Sequence, residues 1–319
     1  MLQPTRTFSK LASVLILVAT LSGWPGLLSS AAALLPLPPR LPPLGAVLAP
    51  PEVDWARVPY LEGLNLSARS ALLVHLPDGE LVGALNPDTQ LPLASLTKVM
   101  TAVVSLEINA KLDRLVAITG DDNTGALTPY IAAGDSISYL AVRDGETMRF
   151  GDVLSAALVA SANNAAAALA RLTGLTTADF VTRMNLRAQV LGMTATTFTE
   201  PTGLDVGNTS TAFDYAILAR YAWTNKTLRT VSGQRELWLT TTAGKRHHLR
   251  NTNSLVRTPP RGVRVTASKT GFLNEAGYNE AISFRVSGQQ YLLVLLHAES
   301  LAARTADTLK IINWLQAQS

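Results

Sequence analysis

Ser95 and Lys98, in the stretch LPLASLTKVMTA at 91–102, are a pair whose types and spacing could do chemistry together. Residues three apart on a helix share a face, with Cβ atoms about 5–6 Å apart, so the amine can reach the hydroxyl. A serine is a weak nucleophile until a neighbouring base takes its proton. Lysine serves as that base only when burial or a nearby cation holds its pKa down. The flanking Leu96, Val99 and Met100 fit burial. The competing reading makes Ser95 a helix cap, although a capping box would place Glu or Gln where Lys98 stands. Of the seven lysines, Lys98 is the only one with a serine three positions before it.

A second polar group lies in VASANNAAAA at 159–168, as Ser161, Ala162 and Asn163. The plain reading is a break between two helices, with Asn163 or Asn164 as the cap. The chemical reading is a hydroxyl that relays a proton and an amide that holds a substrate carbonyl. The third group is ASKTGF at 267–272, which puts Lys269, Thr270 and Gly271 on a predicted strand. Glycine weakens a strand unless something must approach closely. A peptide added as an extra strand would be that something, with Lys269 and Thr270 binding its anionic group. The alternative is an edge strand guarded by a lysine. Ser-x-x-Lys, Ser-x-Asn and Lys-Thr-Gly follow one another with gaps of 66 and 106 residues, the order of a catalytic set in serine acyl-transfer enzymes.

These residues need elements to hold them. SALLVHL at 70–76 and ELVGAL at 80–85 flank Asp78-Gly79 and predict a β-hairpin. The stretch 95–109 predicts a helix apolar on most sides, hence buried. The segment 111–150 reads as short strand-like pieces and turns, and helices are expected at 152–160, 165–172, 176–192 and 210–223. Three strands follow at 263–271, 279–287 and 290–298, then an amphipathic helix at 301–316. Strands at both ends with helices between them predict one α+β domain, its antiparallel sheet built from both chain ends.

The 319 residues are 47% hydrophobic, enough for a sizeable core, and the net charge is only +4. No basic run interleaves with aromatics, which argues against a nucleic-acid partner. Cysteine is absent, excluding disulfides, thiol catalysis and cysteine-bound zinc. Arg6 and Lys10, the apolar run LASVLILVATLSGW and the small residues SSAAA lay out a secretory signal over 1–33. Pro25 and the short apolar run favour cleavage over an uncleaved membrane anchor. Residues 34–60 are proline-rich and read as a spacer, leaving 61–319 as the catalytic domain. His247 and His248, among Lys245, Arg246 and Arg250, read as a solvated loop, and no metal-ligand spacing is evident.

The phrases PLASLTKVMTA, LVASANNAA, TFTEPTGLD and KTGFLNEAGYN, spread over about 65–300, resemble the D-alanyl-D-alanine carboxypeptidase/endopeptidase family, the low-molecular-weight penicillin-binding proteins. The resemblance implies a β-lactamase/transpeptidase-like fold and a serine peptidase of peptidoglycan, with no cofactor or metal. Ser95 would attack the D-alanyl carbonyl, Lys98 would take its proton, and Ser161 would pass a proton to the leaving amine. Asn163, Lys269, Thr270 and Gly271 would bind substrate, and the N–H groups of Ser95 and Phe272 would form the oxyanion hole. Partners would be peptidoglycan peptides and, as covalent inhibitors, β-lactam antibiotics. The enzyme would be an exported monomer, periplasmic or on the outer face of the membrane. Many carboxypeptidases of the family carry a second β-rich domain and a C-terminal anchor. This sequence ends after the 301–316 helix, and that short architecture, TEPTGLD and Phe272 look like the endopeptidase branch, which cuts cross-links. A β-lactamase is the nearest rival, but class A enzymes need Ser-Asp-Asn and a deacylating glutamate, whereas Ala162 stands in the middle and Glu200 belongs to TEPTGLD. A wall-binding protein without catalysis and a Ser-His-Asp hydrolase are further alternatives. The intact motifs oppose the first and the setting of the four histidines opposes the second.

Overall fold

The computed structural model describes residues 53, 58–131 and 137–318. The expected leader at 1–33 and all of the proline-rich stretch at 34–60 except Val53 and 58–60 lie outside the described residues.

The chain first folds as the hairpin β1 (Ser70–His75) and β2 (Leu81–Leu85), turning at Gly79, which holds φ +83°. Three strands close the other end: β9 (Arg264–Leu273), β10 (Gly277–Val286) and β11 (Gln289–Ala298). The turn between the last two uses Ser287 and Gly288 at φ +50° and +80°, the double positive φ of a tight two-residue hairpin. The strands join as one antiparallel sheet in the order β2-β1-β11-β10-β9, with Ser70 opposite Leu296 and His75 opposite Tyr291. The sheet is thus assembled from both chain ends, as the hydrophobic pattern predicts.

β1 and β11 are buried on both faces, which is why ALLV and LLVLL read as unbroken apolar runs. Alternate residues serve two cores. Leu72, Val74, Leu292 and Val294 face the helical side, while Leu73, Phe284, Leu293 and Leu295 face Ile311, Ile312 and Leu315 of the last helix, α8 (Leu301–Ala317). On the helical side α1 (Lys98–Ile108) is buried from Lys98 to Ser105. Around it lie α2 (Phe150–Val159), α3 (Asn163–Arg171), α4 (Thr177–Val190), α5 (Ala212–Thr224) and α6 (Lys226–Ser232). Thr176 and Thr211 cap α4 and α5 through Asp179 N and Asp214 N. A short helix, α7 (Ser254–Arg257), precedes β9.

Three two-stranded ribbons complete the fold: β3 (Leu91–Pro92) with β6 (Thr209–Ser210), β4 (Leu115–Ile118) with β5 (Glu146–Arg149), and β7 (Glu236–Thr240) with β8 (Arg246–Arg250). The last ribbon corrects the expectation for His247 and His248. They lie on a strand, because HHL alternates exposed and buried positions opposite the Leu-Trp-Leu of β7. Among the described residues no helix is long and apolar enough to cross a membrane.

Asp307 on α8 joins the two chain ends. Its Oδ2 accepts from Ser67 N at 2.8 Å, Ser67 Oγ at 3.0 Å and Ala68 N at 2.9 Å, and the side chain is buried. Asp307→Ala strands these donors and should cost about 2–4 kcal/mol, read as a lowered urea midpoint with an unchanged m-value.

Candidate active site

Ser95 sits in a 3-10 turn, Ala94–Thr97, that runs into α1, so the predicted single helix begins one turn later at Lys98. No side chain caps either the turn or α1. The Ser95 hydroxyl instead accepts from Lys98 Nζ at 2.8 Å, which removes the capping role. Ala94 holds φ +49°, a left-handed conformation that costs a non-glycine residue about 1–3 kcal/mol. Neighbours pin the turn in place. Tyr215 Oη donates to Leu96 O at 2.9 Å, Leu93 N donates to Asn208 O at 2.8 Å, and Asn279 Nδ2 donates to Pro92 O at 2.8 Å. Two glycines allow the closest contacts. A Cβ on Gly271 would stand 2.8 Å from Leu93 O and 3.0 Å from Ser95 N, and one on Gly203, at φ +84°, would overlap the Ala94 carbonyl. Phe272 follows Gly271 on the same strand, its ring exposed and stacked on Tyr278 at 4.3 Å.

Lys98 is fully buried, and Nζ also donates to Asn163 Oδ1 at 2.7 Å and Thr202 O at 2.5 Å. Burial pushes its pKa down to about 7, against the opposing pull of the Glu200 carboxylate. An ammonium satisfies all three acceptors, Ser95 Oγ and the two carbonyl oxygens. When the proton facing Ser95 is lost, the two remaining N–H groups stay on the carbonyls and the lone pair faces the hydroxyl.

Ser161 joins α2 to α3 with φ +61°, another strained position. Its Oγ accepts from Lys269 Nζ at 2.8 Å. The residue N-terminal to α3 is Ala162, with no side-chain cap, so neither Asn163 nor Asn164 plays the capping role. Asn163 Nδ2 donates to Ser138 O at 3.1 Å while Oδ1 serves Lys98, leaving one amide N–H free. Lys269 is almost wholly buried on the edge strand β9 and also donates to Thr270 O at 2.7 Å. It is therefore no surface guard for that edge. Burial first, then the nearby Lys98 and Arg304 charges, holds its ammonium well below the ordinary lysine range. Thr270 Oγ1 shares a hydrogen with Thr252 Oγ1 at 2.7 Å.

Ser95, Ser161, Asn163, Thr270, Gly271 and Phe272 line one cleft of about 770 Å³. Lys98 and Lys269 bond into its floor from below.

The motifs leave two features unread. The first is the TEPTGLD loop. Glu200 is buried and its carboxylate accepts from Thr202 N and Oγ1 at 2.6 Å each, Leu204 N at 2.9 Å, Asn208 Nδ2 at 2.7 Å and Gly203 N. This wrapping fixes the Thr202 carbonyl that holds Lys98, and it occupies the carboxylate that a class A β-lactamase reading would give to water activation. The second is Arg304 in the cleft wall, 3% exposed, with Nε and Nη2 unpartnered among the described residues. A signal for it exists in the sequence. Arg304 shares the buried stripe of α8 with Thr308, Ile311 and Leu315, a place where an arginine is unexpected. A metal-type cluster, His75, Asp78 and Glu80, lies apart from the cleft at the β1–β2 turn, where His75 is already bonded to Asp78 at 2.8 Å and Gln289 at 3.1 Å.

The profile of the family described as D-alanyl-D-alanine carboxypeptidase matches residues 57–300. The chain is 33% identical over 262 residues to a D-alanyl-D-alanine endopeptidase of Pseudomonas aeruginosa, covering 79% of this chain and 78% of that protein. It is 30% identical to the D-alanyl-D-alanine carboxypeptidase DacF of Bacillus subtilis, covering 79% of this chain and 62% of that protein. A DD-transpeptidase of Streptomyces superimposes with a TM-score of 0.71 at 26% identity, covering 78% of this chain and 97% of the other. With this profile match, and with Ser95, Ser161 and Lys269 brought to one cleft, the chain belongs to the D-alanyl-D-alanine carboxypeptidase family.

Proposed function

We propose that this protein is a serine-type D-alanyl-D-alanine carboxypeptidase that acts on peptidoglycan stem peptides through a Ser95 acyl-enzyme. The observation that carries the reading is the bonding of Lys98: two carbonyl oxygens take its N–H groups and the Ser95 hydroxyl faces the remaining position.

In this mechanism the lone pair of Lys98 takes the Ser95 proton as Oγ attacks the D-alanyl carbonyl. The Ser95 and Phe272 N–H groups receive the developing oxyanion, a kind of interaction worth about 10²–10³ in rate per donor. Ser161, whose oxygen is held by Lys269, gives its O–H proton to the leaving amine and recovers one from the Lys98 ammonium, which returns Lys98 to its neutral form. The leaving residue carries a carboxylate. Arg304, buried beside Lys269 with unpartnered nitrogens, supplies the charge to meet it. A bound carboxylate would also restore the proton that burial removes from Lys269. Asn163 keeps one N–H for the substrate amide, and Thr270 lies beside the same anion. Water then releases the acyl group, with Lys98 again available as base. β-lactams would acylate Ser95 by the same attack.

A second reading is cleavage of D-alanyl cross-links. The relatives from Pseudomonas aeruginosa and Escherichia coli bear the name endopeptidase, and this chain spans 78% of each. A cross-link also carries a carboxylate beside the scissile amide, and the cleft is roomy for a larger leaving group. The N-terminal charge and apolar run support export to the outer side of the membrane.

Ser95→Ala should remove covalent labelling by a fluorescent penicillin and leave the melting temperature unchanged; a labelled mutant refutes the nucleophile. Mass spectrometry of muropeptides incubated with the wild type separates loss of a terminal D-Ala from opening of a dimer. Because the base form of Lys98 exists above its pKa of about 7, acylation should rise through that pH and fall about tenfold per unit below it. Lys98→Arg, which cannot lose its proton, should stay nearly inert across the profile. Arg304→Gln should lower kcat/KM on peptides by roughly 10–100-fold without lowering the melting temperature, since the native guanidinium has unpartnered buried nitrogens.

A further inference from the structure

The ribbon β7–β8 carries a patch that the chemistry of the cleft does not use. Between residues 235 and 250 lie Arg235, Lys245, Arg246 and Arg250, all exposed, against one carboxylate, Glu236. The register puts Glu236 opposite Arg250, Trp238 opposite His248 and Thr240 opposite Arg246, so Trp238, His248, Arg246 and Arg250 share the outward face with Glu236, whose carboxylate is taken up by His248 at 3.1 Å. Trp238 is 57% exposed. His248 stacks on it at 4.4 Å and 8°, and the Arg246 guanidinium lies over its ring at 4.7 Å. That stack holds an arginine in place on an exposed face, which lowers the entropy cost of its capturing an anion. The inward face holds Leu239 and Leu249 in the core. The ribbon is also fastened to the body: Thr242 N donates to Thr147 O at 2.9 Å and Lys245 Nζ to Ala141 O at 2.5 Å.

The ribbon adjoins the cleft. Two residues beyond the end of β8 stands Thr252, which lines the cleft and bonds to Thr270. On its other side the ribbon rests on 141–147, which follows the cleft residues Ile137 and Ser138. A chain running out of the cleft past Thr252 would meet fixed cations.

We propose that β7–β8 is a docking surface for the peptidoglycan polymer, binding free carboxylates of stems other than the one being cut. The proposal rests on the cleft acting on peptidoglycan. Charge complementarity selects this occupant: the stems are polyanionic, and guanidinium groups pair with carboxylates in a planar, two-pronged geometry. A second foothold raises effective concentration on a polymer and does nothing for a small soluble peptide. His248 and Arg246 both pack on the Trp238 ring, so the recognition is of charge and not of sugar rings.

The test compares two substrates for the wild type and the double variant Arg246→Glu/Arg250→Glu. Pull-down with purified sacculi and the rate of sacculus digestion should each fall roughly tenfold, while soluble muropeptide turnover and penicillin labelling stay within about twofold. Trp238→Ala, which frees Arg246 from its stack, should weaken sacculus binding less. Added salt should weaken sacculus binding of the wild type and leave the double variant nearly unaffected. Unchanged sacculus binding overturns the proposal, and so does equal loss on both substrates. Loss of binding to phosphatidylglycerol vesicles with sacculus binding retained also overturns it, in favour of a membrane surface. The pull-down needs no turnover. If the wild type fails to cleave soluble muropeptide, the reading of the cleft fails, and the pull-down still decides the ribbon.

Discussion

An amine taken out of water gives up its proton unless a countercharge lies close, and Lys98 is placed where those two demands nearly balance. Burial alone would leave it permanently neutral, and a directly paired carboxylate would leave it permanently charged. Glu200 works from a distance, its own oxygens consumed by the backbone and side chains of its loop. Its effect reaches Lys98 as a field and through the Thr202 carbonyl it fixes. The TEPTGLD loop, the start of α1 and the start of α3 therefore form one electrostatic unit. Moving any of the three changes the setting of Lys98, the proposed base.

A second constraint is room. The Lys-Thr-Gly strand passes so close to the Ser95 turn that a methyl group would not fit at Gly271 without displacement, nor at Gly203 on the other side. Held between these walls, Ala94 keeps a left-handed backbone, and Ser161 keeps another across the cleft. Strain of this kind survives only when surrounding bonds over-determine it. The Tyr215, Asn208 and Asn279 contacts around the turn do so. The three motifs then form a rigid cleft before any substrate arrives, which is the condition for electrostatic stabilisation without reorganisation.

Much of this was legible in the residues. The unbroken apolar runs of β1 and β11 and the turn residues Asp78-Gly79 and Ser287-Gly288 mark the sheet, because period and turn chemistry are local properties. The serine–lysine spacing is local too. Asn163 was harder to read, since its amide is largely taken by Lys98 and Ser138, and Ser138 lies 25 residues away. Glu200 was set aside as part of TEPTGLD, and its role stayed hidden because type alone cannot show that a carboxylate is enclosed by its own loop. Arg304 was hidden by its helix, whose pattern reads as packing unless a charged residue on the buried stripe is noticed. His247 and His248 read as a loop because a short polar ribbon has little hydrophobic alternation to betray it.

The sheet order carries a consequence for when the molecule becomes competent. β1, at 70–75, has β11, at 289–298, as its central neighbour, so its place beside β11 stays empty until residue 298 has been made. Pairings this distant in sequence are slow, because a large loop must close before any contact repays it. Ser95 lies just beyond the early hairpin and Lys269 on a late strand, and their meeting waits on that closure. A partly made chain would hold Ser95 without the Lys-Thr-Gly wall of its cleft, so the cleft is complete only once β9 has joined the sheet.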